Sequence, residues 1–391
     1  MKLPRGFLAS GIRSGVRKKR PDLAVIVAEN GANAAAVFTT NRFLAAPVVL
    51  SKFALRKSGG RVKAVVVNAG CANAVTGKEG LEAARRVRAR AGQVFACPEE
   101  EIFLASTGVI GVILQDAKIR AALPDSAARL SAGGIDAASH AILTTDVGPK
   151  VAQATFNWDG RRGRIVGMAK GAGMIHPNMA TMLGFIMTDA DASPDFLKRA
   201  LVDACEVSFN AISVDGDTST NDCVLLLASG KLAAKPLTNA AHDFLRALKQ
   251  VCRELAWMIV RDGEGATRVM ELEVRGARTR REAKAAAHAV ATSPLVKTAL
   301  HGGDPNWGRI LAAVGRSGVR FSTRRVSLGA GTLMLIEKGE PVAYKETDAA
   351  KIFSRERVPV TVDLGSGDAS ATLLVSDLGH DYVSLNADYR S

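Results

Sequence analysis

Apolar residues in this chain come in short runs of Val and Ala closed by Gly or Asn, and no run reaches the 18 residues that a membrane-crossing helix needs. LAVIVAEN (23–30), AAAVFTTN (34–41) and VKAVVVNAG (62–70) read as strands. EIFLAS (101–106) reads as another, ending in the loop Thr107-Gly108-Val109-Ile110-Gly111. In VAQATFNWDGRRGRIVGMA the Asp159-Gly160 pair predicts a hairpin turn. Helical spacing marks 77–95, through Leu81, Ala84, Val87 and Val94, then 194–210 starting at Pro194, and 239–260. TMLGFIMTD and TNDCVLLLAS (220–229) read as buried strands, and after the loop Arg261–Thr267 the run RVMELEV reads as one more. REAKAAAHAVATSPLVKTAL and NWGRILAAVG predict helices, followed by a strand-rich end from about Val326. Hairpins rather than a strict βαβ alternation predict an α/β fold of the α+β type, with layered mixed or antiparallel sheets covered by helices. A change in character near residue 275 divides the chain into 1–275 and 276–391.

The formal charge of +14 is unevenly placed. Residues 1–180 hold 26 Lys+Arg against 12 Asp+Glu, and residues 181–391 hold 26 against 26. Such a balance attracts anionic substrates or nucleic acid, but Arg85, Arg86, Arg88 and Arg90 cluster on what reads as one solvated helix face. No nucleic-acid motif and no aromatic-interleaved basic patch accompanies them, so nucleic acid is not an expected partner. The five cysteines are odd in number and none is spaced as CxxC, which argues against a disulfide framework or zinc site. MKLPRGFLASGIRSGVRKKRPD lacks the apolar run of a signal peptide, and a cytoplasmic protein without membrane association is expected.

The chemistry concentrates in Met168-Ala-Lys-Gly-Ala-Gly-Met-Ile-His-Pro-Asn-Met-Ala-Thr-Met-Leu-Gly184. A Gly-rich segment meets a Pro-stiffened turn, and a hydroxyl residue then opens an apolar strand. Attack of the Thr181 hydroxyl on the Ala180 carbonyl would shift the acyl group from N to O, and water would split the ester. The new α-amine, with an ordinary pKa of about 7.7–8.0, could then take the proton of its own hydroxyl. A plain Gly/Pro turn before a core strand fits the same residues equally well. His176 has no spaced acidic partner and reads as a residue that shapes the turn. Asp215, Asp217 and Asp222 in SVDGDTSTND lack the length and closing Glu of a calcium loop, and no metal is expected. Gly77-Lys78 lacks the Ser or Thr and the glycine spacing of a phosphate loop.

KGAGMIHPNMATML resembles the cleavage-site signature of the ornithine acetyltransferase family, the self-cleaving glutamate N-acetyltransferases of arginine biosynthesis. GANAAAVFTTNRFLAAPV (31–48), ASTGVIG (105–111), TTD (144–146), SVDGDTSTND (213–222), DGEGATR (262–268), SPLVKTALHGGDPNWGRILAAVGRSG (293–318) and NADYRS (386–391) are similar to family blocks in family order. The resemblance implies cleavage between Ala180 and Thr181, with an α chain 1–180, a β chain from 181 and Thr181 as nucleophile. It implies an oxyanion hole from Thr107 and Gly108, and substrate binding by Thr145, Lys170, Thr181, Glu264, Asn386 and Ser391. Lys170 would pair with the substrate α-carboxylate or hold the Thr181 amine unprotonated by like-charge repulsion, and Glu264 would meet a cationic side chain. Joined to the pattern of elements, it sets the expected architecture: an αββα-like sandwich core in 1–275 that contains the cleavage site, and a smaller C-terminal α/β domain, 276–391, whose tail returns to the active site. Cys71 departs from the family, which usually shows Asn there.

The activity implied is acetyl transfer from N2-acetylornithine to L-glutamate through an acetyl-Thr181 intermediate, by ping-pong kinetics and without a cofactor. Whether acetyl-CoA serves as a second donor is left open by the sequence, as is acceptor specificity. The implied assembly is a heterotetramer of two α and two β chains. A self-processed amidase or aminopeptidase of similar fold, in which water takes the acyl group, is the alternative; a basic nucleic-acid-binding protein is a remote one.

Overall fold

The computed structural model describes residues 1–176 and 182–388. In chain order the first elements are β1 (Phe7–Ile12), β2 (Leu23–Phe38), α1 (Ala46–Lys57), β3 (Arg61–Cys71), α2 (Gly77–Val94), β4 (Ile102–Val109), α3 (Asp116–Ala128) and α4 (Ile135–Ala141). There follow β5 (Lys150–Trp158), β6 (Arg161–Lys170), β7 (Leu183–Thr188), α5 (Pro194–Glu206), β8 (Ile212–Ser213), β9 (Cys223–Ala228) and α6 (His242–Arg261). The rest are β10 (Val269–Ala277), α7 (Arg280–Ala291), α8 (Pro294–Gly302), α9 (Trp307–Gly315), β11 (Ser327–Ala330), β12 (Leu333–Glu337), β13 (Glu340–Pro341), α10 (Glu346–Phe353), β14 (Arg357–Asp363), β15 (Ala369–Ser376) and α11 (His380–Asp388).

One sheet runs β4-β3-β2-β9-β7-β6-β5, with β1 also paired to β2. The β3–β4 and β7–β9 pairs are parallel and the others antiparallel, so the sheet is mixed. β2 is long enough to serve two halves: Leu23–Val27 pair with β3, and Asn33–Phe38 pair with β9. Period-2 alternation then builds four layers. Val65 and Val67 of β3, with Leu225 and Leu227 of β9, meet in one interior cluster. On the outer side of one half, Ala64 and Val66 pack against Ala83 and Val87 of α2 and Ile119 and Leu123 of α3. On the other, Val224 and Leu226 pack against Leu201 of α5 and Leu248, Val251 and Leu255 of α6. Each buried Val, Leu or Ile among them contributes about 1.5–3 kcal/mol by leaving water. The αββα sandwich is thus made by a single sheet whose two halves face one another.

The second sheet runs β13-β12-β11-β14-β10-β15-β8, and α7, α9 and α10 cover it. Strand pairing places two features differently from the sequence pattern. The expected boundary at 275 falls inside β10, and β8, from the first region, pairs with Leu374 and Val375 of β15. The runs 23–30 and 34–41 are one strand, continuous through a register shift between Val27 and Ala32. The Asp159-Gly160 turn is a hairpin with both residues at positive φ, 50° and 70°, as its type requires. The run 281–300 is two helices, because Ser293 caps a new start by accepting from Val296 N and Pro294 fits the first turn. α5 stops at Glu206, four residues short of the expected end. β1, α1, α3 and α4 carry too little periodicity to be legible in the sequence.

Candidate active site

Thr107 and Gly108 stand where β4 leaves its regular pairing with β3: Cys71 is opposite both Thr107 and Val109. Gly108 has φ 129°, and a Cβ there would lie 2.4 Å from the carbonyl carbon of Gly70, so this bulge admits only glycine without a backbone shift. Buried amides hold it. Asn221 donates from Nδ2 to the carbonyls of Ala72 at 2.7 Å and Ser106 at 2.9 Å. Asn68 donates to the Cys71 carbonyl at 2.9 Å and accepts from Ser106 Oγ at 2.5 Å.

Lys170 ends β6 with its side chain 7% exposed. Its Nζ lies 2.7 Å from Thr144 Oγ1, 3.3 Å from Thr107 Oγ1 and 3.6 Å from Asp146 Oδ2. Asp146 also accepts from Lys150 Nζ at 2.8 Å and from the backbone N–H of Thr144 and Gly171 at 3.0 and 2.7 Å. Burial disfavours the Asp146 charge, but Lys170 and Lys150 outweigh it and hold the carboxyl well below the usual carboxylate range. Lys150 is shared with Asp262, which also accepts from Val147 N at 3.1 Å.

Asp262 opens the loop that carries Glu264. The Glu264 N–H donates to the Ala172 carbonyl at 2.8 Å, and Thr267 donates twice to buried Asp377. α11 lies on this loop so closely that a Cβ at Gly265 would come within 2.5 Å of Tyr382 N. Asn386 of α11 donates from Nδ2 to Glu264 Oε2 at 2.8 Å. Thr107, Gly108, Thr144, Thr145, Lys170, Glu264 and Asn386 all line one pocket, with Ser219, Thr220 and Asn221.

The chain leaving Lys170 is held at successive points. Ile175 N donates to Asp215 Oδ1 at 2.9 Å, Met174 N donates to Oδ2, and Val214 N donates to the Ile175 carbonyl at 2.8 Å. Met174 takes a positive φ of 57°. Burial pushes the Asp215 carboxyl up to about 6, with the amides of Asp217, Met174 and Ile175 offsetting only part of the shift. His176 sits 3.3 Å from Ser213 Oγ, with its ring edge-on to His288 at 5.3 Å. Burial lowers the pKa of both, His288 to about 4.

A profile of the ArgJ family matches residues 8–391. The chain is 45% identical over 390 residues to the arginine biosynthesis bifunctional protein ArgJ of Chlorobaculum tepidum, covering 99% of this chain and 96% of that one. It is 46% identical over 396 residues to the protein so described from Symbiobacterium thermophilum, covering 99% and 98%. The crystal structure of arginine biosynthesis bifunctional protein argJ from Bacillus halodurans is 39% identical, with a TM-score of 0.52 over 54% of this chain and 100% of that chain.

The chain belongs to the ArgJ family.

The resemblance read from the sequence is thereby established, and the chain is an enzyme of this family. Within this ArgJ fold, Thr107, Gly108, Thr145, Lys170, Glu264 and Asn386 come from separate elements and reach one pocket. Ala180, Thr181 and Ser391 lie outside the described residues. Thr144, Asp146, Lys150, Asn221 and Asp215 were not singled out for the site by sequence reasoning. The TTD and SVDGDTSTND blocks contained Thr144, Asp146, Asp215 and Asn221, but nothing in their spacing showed which lysine or amide each would meet. Cys71 is buried, lies outside the pocket lining and points Sγ at the Val112 carbonyl, 3.3 Å away. The arginines of α2 are not one uniform face: Arg86 binds Asp116 of α3 through two 2.9 Å bonds, and Arg88 turns inward to Glu99. Among the described residues no group of three or more His, Cys, Asp or Glu could hold a metal, and no helix is long and apolar enough to cross a membrane.

Proposed function

We propose that this enzyme transfers the acetyl group of N2-acetylornithine to L-glutamate through an acetyl ester on Thr181, after cutting itself between Ala180 and Thr181. The carrying observation is the single pocket that joins an oxyanion-type turn, Thr107-Gly108, to a cation, Lys170, and a carboxylate, Glu264. In the first half-reaction the Thr181 hydroxyl attacks the acetyl carbonyl and its proton passes to the free α-amine. The C–O ester bond forms, the amide C–N bond breaks, and ornithine leaves with the proton. In the second, the glutamate amine attacks the ester, releasing N-acetylglutamate and restoring the Thr181 hydroxyl. Thr107 Oγ1 and the Gly108 N–H face the negative charge that develops on the carbonyl oxygen in both. Glu264, steadied by Asn386, meets the ammonium of the ornithine side chain, Thr145 supplies a hydroxyl, and Lys170 supplies positive potential toward an α-carboxylate. Ser391 is assigned to the same binding site by family resemblance.

The reaction as written needs no cofactor. The bifunctional description of the relatives favours acetyl-CoA as a second donor to glutamate. Cleaved chains would assemble as a cytoplasmic heterotetramer of two α and two β chains.

A denaturing gel should show two fragments, the larger beginning Thr-Met-Leu-Gly, and Thr181→Ala should stay one uncut, inactive chain. N2-acetylornithine alone should add one acetyl mass to the chain starting at Thr181, and glutamate should discharge it far faster than free acetate appears. Wild-type protein that is active while uncut would end the self-cleavage reading. Acetate formed at the same rate with and without glutamate would make the enzyme a hydrolase.

A further inference from the structure

We infer that Asp146 is a positioning residue for acyl transfer, acting through Lys170 to aim the hydroxyl of Thr107 at the substrate carbonyl. The inference rests on the oxyanion role proposed for Thr107.

A lysine ammonium donates three hydrogen bonds and accepts none. The Lys170 Nζ faces Thr144 Oγ1 at 2.7 Å, Thr107 Oγ1 at 3.3 Å and the Asp146 carboxylate at 3.6 Å. Toward this ammonium Thr107 can only accept. A threonine hydroxyl has one proton and two lone pairs, so a lone pair is spent on Lys170 and the O–H turns away from it. Thr107 lines the pocket, and there the proton finds its acceptor in the carbonyl oxygen of the bound acyl group.

Asp146 makes this arrangement rigid. Its side chain is fully buried, and three donors and one ion pair fix its two oxygens: Lys150 Nζ and Gly171 N donate to Oδ1, and Thr144 N donates to Oδ2, which also pairs with Lys170. A carboxylate so held cannot swing away, and it keeps a counter-charge 3.6 Å from the Lys170 ammonium, which holds the Nζ beside Thr107. Without that counter-charge the ammonium is free to leave Thr107, and the Thr107 proton would no longer be turned toward the substrate. Asp146 further ties the Gly171 amide to the same point, fixing the backbone that carries Lys170.

The test is a double-mutant cycle with Asp146→Asn and Thr107→Ala, with rates taken per cleaved chain and melting curves run alongside. A hydrogen bond to a charged group is worth about 1.5–3 kcal/mol, so Asp146→Asn should lower kcat on the order of 10–100-fold. KM for N2-acetylornithine and for glutamate should stay within about twofold. Thr107→Ala should cost on the order of 10²–10³ in kcat. In the Thr107→Ala background, adding Asp146→Asn should change kcat by no more than about twofold, because its route of action is gone. Losses that multiply in the double variant, or a change confined to KM, would overturn the inference. If Thr107→Ala itself left kcat intact, the oxyanion reading would fall instead, so the two failures are distinct. Should Asp146→Asn not fold, Lys170→Met in the same cycle carries the test on kcat alone, since Lys170 also serves substrate binding: a kcat loss that disappears in the Thr107→Ala background supports the relay, and a kcat loss of the same factor in both backgrounds refutes it.

Discussion

Asn386 and Glu264 stand 122 positions apart in sequence, and the Asn386 Nδ2 donates to Glu264 Oε2 at 2.8 Å. The bond brings a helix from the end of the chain onto a loop that follows α6, and it leaves Glu264 facing the pocket with one oxygen already oriented. A side chain at position 386 is exposed, so its contribution to folding is small, while in the proposed reaction its hold on Glu264 would act on the substrate.

Asn386→Ala should therefore raise KM for N2-acetylornithine by about fivefold, the equivalent of one net hydrogen bond of about 1 kcal/mol, and leave the melting temperature nearly unchanged. Steady-state kinetics beside a thermal melt check this. A wild-type KM in the variant would detach the tail from substrate binding.

The hydroxyl of Thr107 has a selective signature. Thr107→Ser keeps the donor and should retain much of the transfer rate, whereas Thr107→Ala should lose on the order of 10²–10³ in kcat. Equal rates in wild type and both variants, measured as N-acetylglutamate formed, would remove Thr107 from the mechanism.

At Gly108 the expectation concerns the backbone. The φ of 129° alone costs a side-chain-bearing residue about 1–3 kcal/mol, and the added Cβ would meet backbone of Gly70 and Cys71 at 2.4 and 2.6 Å. Gly108→Ala should lower both the melting temperature and kcat by displacing the β3–β4 bulge. Unaltered melting and kinetics would show that the turn relaxes freely.

Asp215 supplies a pH dependence of stability. Burial raises its folded pKa to about 6, above the ordinary aspartate value of 3.8, so between these values the folded chain binds more protons than the unfolded one. Stability contributed by this group is present at low pH and falls as pH rises from about 4 to about 6. Asp215→Asn should lose this slope. Melting temperatures of the two proteins over that window should therefore diverge in trend, the wild type declining relative to the variant as pH rises. Parallel curves would refute the assignment.

Much of this enzyme is written locally. The strands around Val65, Leu225 and Val269, the Asp159-Gly160 turn, the long helix over Leu248 and Leu255 and the family blocks around Thr107, Lys170 and Glu264 are all legible, because a strand, turn or helix is specified by residues within a few positions of one another. The sequence also determined the family. Only the tertiary structure decided that β2 is one strand serving two half-sheets, that β8 crosses to the second sheet, and that Asp146, Lys150, Lys170 and Asp262 share one buried set of ion pairs. Charge partners 24 or 112 positions apart in the chain, such as Asp146 with Lys170 and Lys150 with Asp262, leave no periodic trace in sequence. Their meeting is set by sheet register and by the cost of burying an unpaired charge, and both come into force only when the layers close.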